Sequence, residues 1–249
     1  MTLYDRNFYG EQAAGSERSA CIVLPLVFEA ARPASVVDVG CGVGTWLAAA
    51  AELGVADVLG LDGKYVMDAG FRIADKNFRA VDLAEPIPDL GRRFDLAMSL
   101  EVAEHLPPSR SDGFVADLCS LADVVLFSAA IPGQLGTDHI NLEFQHRWVE
   151  RFGGHGYTAF DLVRPRVWHN AEVESFYRQN ALVYVNSARP DLVARAADVA
   201  SACPPLLDVA HPDLVAFWVR RATRPISMAQ AVRQVGRSFG AAVQRRTRR

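Results

Sequence analysis

Cysteine is scarce and unpaired in this 249-residue chain. Cys21, Cys41, Cys119 and Cys203 show no close-paired spacing, which argues against a zinc knuckle and against a disulfide framework. Long apolar runs are missing too. No stretch approaches the eighteen consecutive apolar residues of a membrane-spanning helix. The polar start Met1-Thr2-Leu3-Tyr4-Asp5-Arg6 does not read as a signal peptide, so a cytoplasmic protein is expected. Acidic residues stop at Asp213, whereas Arg220, Arg221, Arg224, Arg233, Arg237, Arg245, Arg246, Arg248 and Arg249 follow it. The body therefore holds 17 of the 26 Lys and Arg against all 29 acids, a net charge of about −12, and the tail carries +9. Such a body repels nucleic acid over most of its surface, which makes a nucleic-acid partner unexpected.

What the chain does have is a glycine-rich turn between a short apolar strand and an alanine-rich helix, Val36-Val37-Asp38-Val39-Gly40-Cys41-Gly42-Val43-Gly44-Thr45-Trp46. Glycines at 40, 42 and 44 remove the Cβ atoms that would hold a cofactor away from the backbone. Cys41 suits the turn by being small. A dinucleotide fingerprint, G-x-G-x-x-G/A, would put its third small residue where Thr45 stands. Taken alone, the turn is compatible with a purely structural role or with a dinucleotide. Further strand-like segments follow: Val55 to Leu61 ending in Asp62, Phe78 to Leu83 containing Asp82, Phe94 to Leu100, and Val124 to Ser128. A carboxylate at the tip of the second strand can accept both hydroxyls of a ribose. Asp62 and Asp82 can equally be solvated strand-end caps.

This D-x-G-x-G-x-G run, with the strands in that order, resembles motif I and the following elements of class I S-adenosylmethionine (SAM) methyltransferases over about residues 16 to 187. The resemblance implies an α/β fold with a Rossmann-like sheet of seven strands. The last pair, near Ala159 to Val163 and Ala181 to Val185, would be antiparallel. It implies SAM as cofactor, held by Asp38, Gly40, Gly42, Gly44, Trp46, Asp62, Asp82, Leu83 and Glu101. Ser16 is expected to cap a helix running to about residue 31. The aromatic segment Leu3 to Gly10 suits a lid over the cofactor or a packed N-terminal arm. We expect residues 1–189 to form the methyltransferase domain and 190–249 an Arg-rich helical appendage. Within it Met228, Ala231, Val232, Val235, Phe239 and Val243 recur at helical spacing. That helix would dock on the body, or reach a membrane surface or other anionic partner.

Chemistry is expected beyond the carboxyl ends of the fourth and fifth strands. There Glu101, Glu104 and His105 form E-x-x-E-H, a spacing that would turn all three toward one point if the segment were helical. Two carboxylates and an imidazole suit magnesium or manganese, and other divalent ions as well. The segment resembles the metal site of small-RNA 2′-O-methyltransferases and the corresponding segment of ubiquinone-pathway O-methyltransferases. In the former a further His completes the shell, here matched by His139. Alternatively His139 or His105 is a general base, or His105 is merely the first residue of a helix.

The segment from 141 to 180 should shape the acceptor pocket, with Arg164, Trp168, Tyr177 and Asn180 as candidate walls. As a whole the chain resembles bacterial class I methyltransferases of glycan and secondary-metabolite pathways. The favoured expectation is O-methylation of a small polyol such as a sugar or glycosylated metabolite, with metal assistance. The alternatives are RNA 2′-O-methylation, a catalytically inactive SAM-binding regulatory protein, and a nicotinamide oxidoreductase. The sequence is also compatible with a homodimer.

Overall fold

The computed structural model describes residues 6–134, 136–200 and 207–222. Seven strands form one sheet: β1 (Ser35–Val39), β2 (Asp57–Asp62), β3 (Phe78–Ala80), β4 (Leu96–Leu100), β5 (Val124–Ser128), β6 (Tyr157–Phe160) and β7 (Leu182–Asn186), in the order β3-β2-β1-β4-β5-β7-β6. Because β1, β4 and β5 are covered on both faces, they read as near-continuous apolar runs. β1 pairs in parallel with β2, setting Val36 opposite Val58, and with β4, setting Asp38 opposite Met98. β7 runs antiparallel to both β5 and β6, so the expected antiparallel closing pair is present. Phe94 falls short of β4 and makes only an isolated bridge to Ala122.

Alternation along each strand sorts the core into two layers. On one side Val36, Met98, Leu126 and Val183 pack against α1 (Arg6–Ala31) and α2 (Thr45–Glu52). On the other, Val37, Ala97, Val125 and Phe127 pack against α3 (Ser111–Leu121) and α4 (Gln145–Gly154). Two short helices, α5 (Arg164–Val167) and α6 (Ser175–Asn180), lead from β6 to β7.

In α1 the residues Ala20, Val23, Leu24, Val27, Ala30 and Ala31 recur every three to four positions and are buried. This stripe holds the helix on the sheet despite Pro25 within it, which forfeits one backbone hydrogen bond. Ser16 does not cap this helix. The helix starts ten residues earlier at Arg6, and the Ser16 hydroxyl meets the Tyr177 hydroxyl at 3.3 Å. Residues 6–10 of the expected lid are the first turns of α1, and Leu3 to Asp5 lie outside the described residues.

Beyond β7, α7 (Pro190–Val199) packs on α1 and β7. The first compact unit extends to His211, and a second begins at Pro212. In the second unit α8 (Pro212–Ala222) carries Arg220 and Arg221 in its last turn. The helix expected near 226–243 and the remaining arginines lie outside the described residues. No helix among the described residues is long and apolar enough to cross a membrane.

Under α4 the aromatic rings close-pack: Phe152 stacks on Tyr184 at 3.8 Å between centroids and meets Phe127 edge-on at 5.5 Å. Removing the wholly buried Phe152 ring would leave a cavity that this packed layer fills poorly. Phe152→Ala is expected to lower unfolding free energy by about 3–5 kcal/mol, read by urea denaturation; a loss below about 1 kcal/mol would contradict this packing.

Candidate active site

The β1–α2 turn is built by backbone contacts to β2. The amides of Gly40 and Cys41 donate to the Leu61 carbonyl at 2.7 and 3.2 Å, and Gly44 N–H closes onto the Cys41 carbonyl at 2.9 Å. Gly42 has a φ of +52°, and a Cβ there would meet nothing within 4 Å. A side chain at 42 would thus project into the open side of the turn. Its amide donates to Asp62 Oδ2 at 2.8 Å, linking the turn to the tip of β2. Asp62 Oδ1 accepts the Gly63 amide at 2.6 Å and the Tyr65 hydroxyl at 2.7 Å. Burial raises the Asp62 pKa, and these three donors work against that rise. Asp38 is different: among the described residues no donor reaches its buried carboxylate. Burial first, and the Asp62 charge second, push its pKa up to about 8.

The other expected cofactor residues are placed less centrally. Trp46 is buried in the core, its indole N–H donating to the Tyr177 hydroxyl at 3.2 Å with the rings edge-to-face at 5.0 Å. Asp82 is exposed two residues beyond β3 and accepts the Ala84 amide at 3.0 Å. Leu83 is half-buried against the α3 side of the core.

After β4 the chain does not form the helical turn that the E-x-x-E-H spacing invited. Glu101 takes a φ of +57°, and its amide bonds the Ser128 carbonyl at 3.0 Å. Only Ala103–His105 forms a single 3-10 turn. The Glu101 carboxylate stays close enough to Glu104 and His139 for the charges to act on one another, but takes its hydrogen bonds from other residues. Its Oε1 accepts Asn180 Nδ2 at 3.0 Å and its Oε2 accepts Gln134 Nε2 at 2.6 Å. Asn180 Nδ2 also reaches Gln134 Oε1 at 2.9 Å, and Gln145 Nε2 donates to Asn180 Oδ1 at 3.0 Å. Burial raises the Glu101 pKa against the pull of these donors.

Glu104, His105 and His139 do converge, each offering a ligand atom within 4.8 Å of the others. Glu104 is wholly buried and both carboxylate oxygens lack a hydrogen-bond partner. Burial, followed by the Glu101 charge, holds its pKa well above the ordinary carboxylate range. Its carbonyl accepts the amides of Ile140 and Asn141 at 2.9 and 3.0 Å. Asn141 Nδ2 adds bonds to the Ala103 carbonyl and Ser111 Oγ. These contacts bring the loop after β5 back onto the turn after β4, and His139 with it.

His139 Nδ1 lies 3.0 Å from the Gln134 carbonyl. A carbonyl only accepts, so Nδ1 carries the proton and the lone pair sits on Nε2. The His139 ring meets His105 edge-to-face at 4.8 Å. Burial, then the His139 charge, lowers the His105 pKa, keeping its imidazole neutral and able to ligate or accept a proton. A Cβ on Gly136 would lie 2.1 Å from His139 Nε2, so the backbone approaches this atom as closely as only glycine permits.

Of the expected acceptor walls, Arg164 is buried and spent on Asp161 at 2.7 Å, and Trp168 packs on His211 at 4.6 Å between centroids. Asn180 binds the Glu101 carboxylate, whereas Tyr177 is buried against Ser16 and Trp46. Gln134, Gln145, Ser128 and Tyr65 were not singled out in the sequence. Gln134 and Ser128 carried a usable signal, being polar residues at the carboxyl end of the fifth strand, next to the expected chemistry.

Residues 11–128 match a family model described as a methyltransferase domain. Over those residues the chain is similar to methyltransferase domains, and its seven-stranded sheet has the class I SAM-dependent methyltransferase fold. The ubiquinone biosynthesis O-methyltransferase of Brucella ovis is 33% identical over 140 residues, covering 52% of this chain and 54% of that protein. Its namesake from Mesorhizobium japonicum is 34% identical over 150 residues, covering 55% and 57%. The chain thus spans about half the length of the curated relatives it matches. Among solved structures, Streptomyces venezuelae DesVI superposes with a TM-score of 0.56 at 16% identity, over 72% of this chain and 95% of that one. An O-methyltransferase family protein from Burkholderia thailandensis gives 0.53 at 13% identity, over 73% and 58%. At these identities the structures share the fold alone. The turn suits a SAM cofactor on two counts: the open cradle at Gly42, and an Asp38 carboxyl that meets no donor among the described residues.

Two substitutions separate the halves of the site. Gly42→Val is expected to abolish SAM binding in calorimetric titration at a cost of about 1–2 kcal/mol in stability from the left-handed backbone. Gly136→Ala should displace the His139 ring and cut methyl transfer by about 100-fold or more while SAM affinity stays within about twofold. Equal loss of SAM binding in both variants would contradict the division.

Proposed function

We propose that the protein is a SAM-dependent O-methyltransferase acting on a small molecule with adjacent hydroxyls, such as a sugar or glycosylated metabolite, assisted by a divalent ion. The observation that carries this reading is the convergence of Glu104, His105 and His139 within 4.8 Å beside the glycine turn. The orphaned carboxylate oxygens of Glu104 fit a cation as well, because a buried carboxylate needs either a positive partner or a proton. Magnesium or manganese suits this set, with Glu101 left outside it on Asn180 and Gln134. The printed name of the Brucella relative supports transfer to oxygen.

SAM supplies an activated methyl group, so the protein's task is to aim an oxygen and remove its proton. His139 Nε2 presents a lone pair for that proton or for the ion, its ring held by the Gln134 carbonyl. A divalent ion bound by the trio would lower the pKa of paired hydroxyls. Asn180 and Gln134 keep the Glu101 carboxylate fixed, and Asn180 is itself held by Gln145. The acid excess of the body weighs against RNA as acceptor.

Methyl-labelled SAM offered with small-molecule and RNA fractions tests the reading, with and without chelator. Label is expected on a diol-bearing small molecule, lost with chelator and restored by magnesium or manganese. His139→Ala should reduce transfer by about 100-fold or more and spare SAM affinity. Label on RNA would overturn the acceptor class, and label indifferent to chelator would overturn the metal.

A further inference from the structure

The Asp62 carboxylate is nearly saturated by the protein itself. An ionised carboxyl offers about four lone-pair directions, two on each oxygen. Oδ1 has both occupied, by the Gly63 amide at 2.6 Å and the Tyr65 hydroxyl at 2.7 Å, and Oδ2 has one occupied, by Gly42 N–H at 2.8 Å. Two of these donors are backbone amides fixed by the turns on either side. The third is a phenol on a single 3-10 turn, Lys64–Ala69.

The Tyr65 ring is two-thirds exposed, at 67%. It lies back over the Gly63 backbone so closely that a Cβ on Gly63 would fall 2.2 Å from a ring carbon. A tyrosine in that position gives up little apolar burial by swinging out. A charge-assisted hydrogen bond ties its hydroxyl to Asp62.

We propose that Tyr65 is an internal competitor for the ribose-binding face of Asp62, its hydroxyl taking the place of a cofactor hydroxyl and having to leave before a ribose diol can bind. This rests on the reading of Asp62 as the ribose acceptor. A vicinal diol bridging both carboxylate oxygens needs one acceptor direction on each, and with Tyr65 in place Oδ1 has none left. The measured affinity is then the intrinsic affinity multiplied by the fraction of molecules whose Tyr65 has moved away. The same hydroxyl returns to Asp62 when the nucleoside leaves, so it weakens retention of the demethylated product as much as of the cofactor. Tyr65 is therefore an affinity-setting residue rather than a contact to the bound nucleoside.

Calorimetric titration of the full chain with S-adenosylhomocysteine and with adenosine tests this. Tyr65→Phe keeps the ring and removes the hydroxyl, and is expected to tighten both ligands about 3–10-fold, the net worth of one ordinary hydrogen bond. In an Asp62→Asn background, which keeps an acceptor for the backbone amides, the same substitution should have no effect. Unchanged or weaker binding by Tyr65→Phe would overturn the proposal, as would a gain that persists without the Asp62 carboxylate. Wild-type affinity in Asp62→Asn alone would instead overturn the assignment of Asp62 to the ribose, independently of Tyr65; Asp62→Ala provides the same readout should the amide side chain mimic the carboxylate.

Discussion

Four carboxylates at the carboxyl ends of β1, β2 and β4, three buried and Glu101 half-buried, constrain everything around them. Desolvation raises the pKa of each of Asp38, Asp62, Glu101 and Glu104. Two are compensated from within: Asp62 by two amides and a phenol, Glu101 by Asn180, Gln134 and the backbone-anchoring Ser128. The other two are not. Among the described residues no donor meets Asp38, and neither oxygen of Glu104 has a hydrogen-bond partner. A protein keeps such uncompensated groups in low dielectric at a cost of several kcal/mol unless they are protonated or meet a cation. On the proposed reading these two positions would receive positive charge, the cofactor's at Asp38 and an ion's at Glu104.

The sheet explains why these groups sit together. Parallel pairing of β1 with β2 and β4 aligns the carboxyl ends of all three strands. The strand order reverses direction between β1 and β4, leaving the crevice where open α/β sheets receive ligands. The glycine turn lines one side of that crevice. The other side is the turn after β4, and the Glu104 carbonyl draws the loop after β5 onto it. One backbone carbonyl thus couples the two loops that carry the trio.

The fold was readable because its signals are local and repeated: apolar strands of five or six residues, each followed by glycine or an acid, in the order that a parallel sheet demands. The cofactor turn was readable for the same reason. The turn after β4 departs from the helical geometry that its spacing suggested. An i, i+3, i+4 pattern brings side chains together only on an α-helix, and Glu101 leaves helical space at once with its positive φ. That conformation is enforced by Ser128 on the neighbouring strand, a contact between residues 27 apart that spacing cannot reveal. Ser16 failed as a cap for a related reason, since its partner Tyr177 lies 161 residues away.

The most direct test of this electrostatic account is proton release on cofactor binding. With its pKa near 8, Asp38 is mostly protonated at pH 7, and a cation beside it favours the ionised form. SAM titrated calorimetrically into the protein at pH 7, in two buffers of different ionisation enthalpy, should show release of a substantial fraction of a proton. Affinity should rise with pH and level off above about 8. Binding with no proton exchange, or with uptake, would contradict the claim that the buried carboxylates are the groups the cofactor's positive charge compensates.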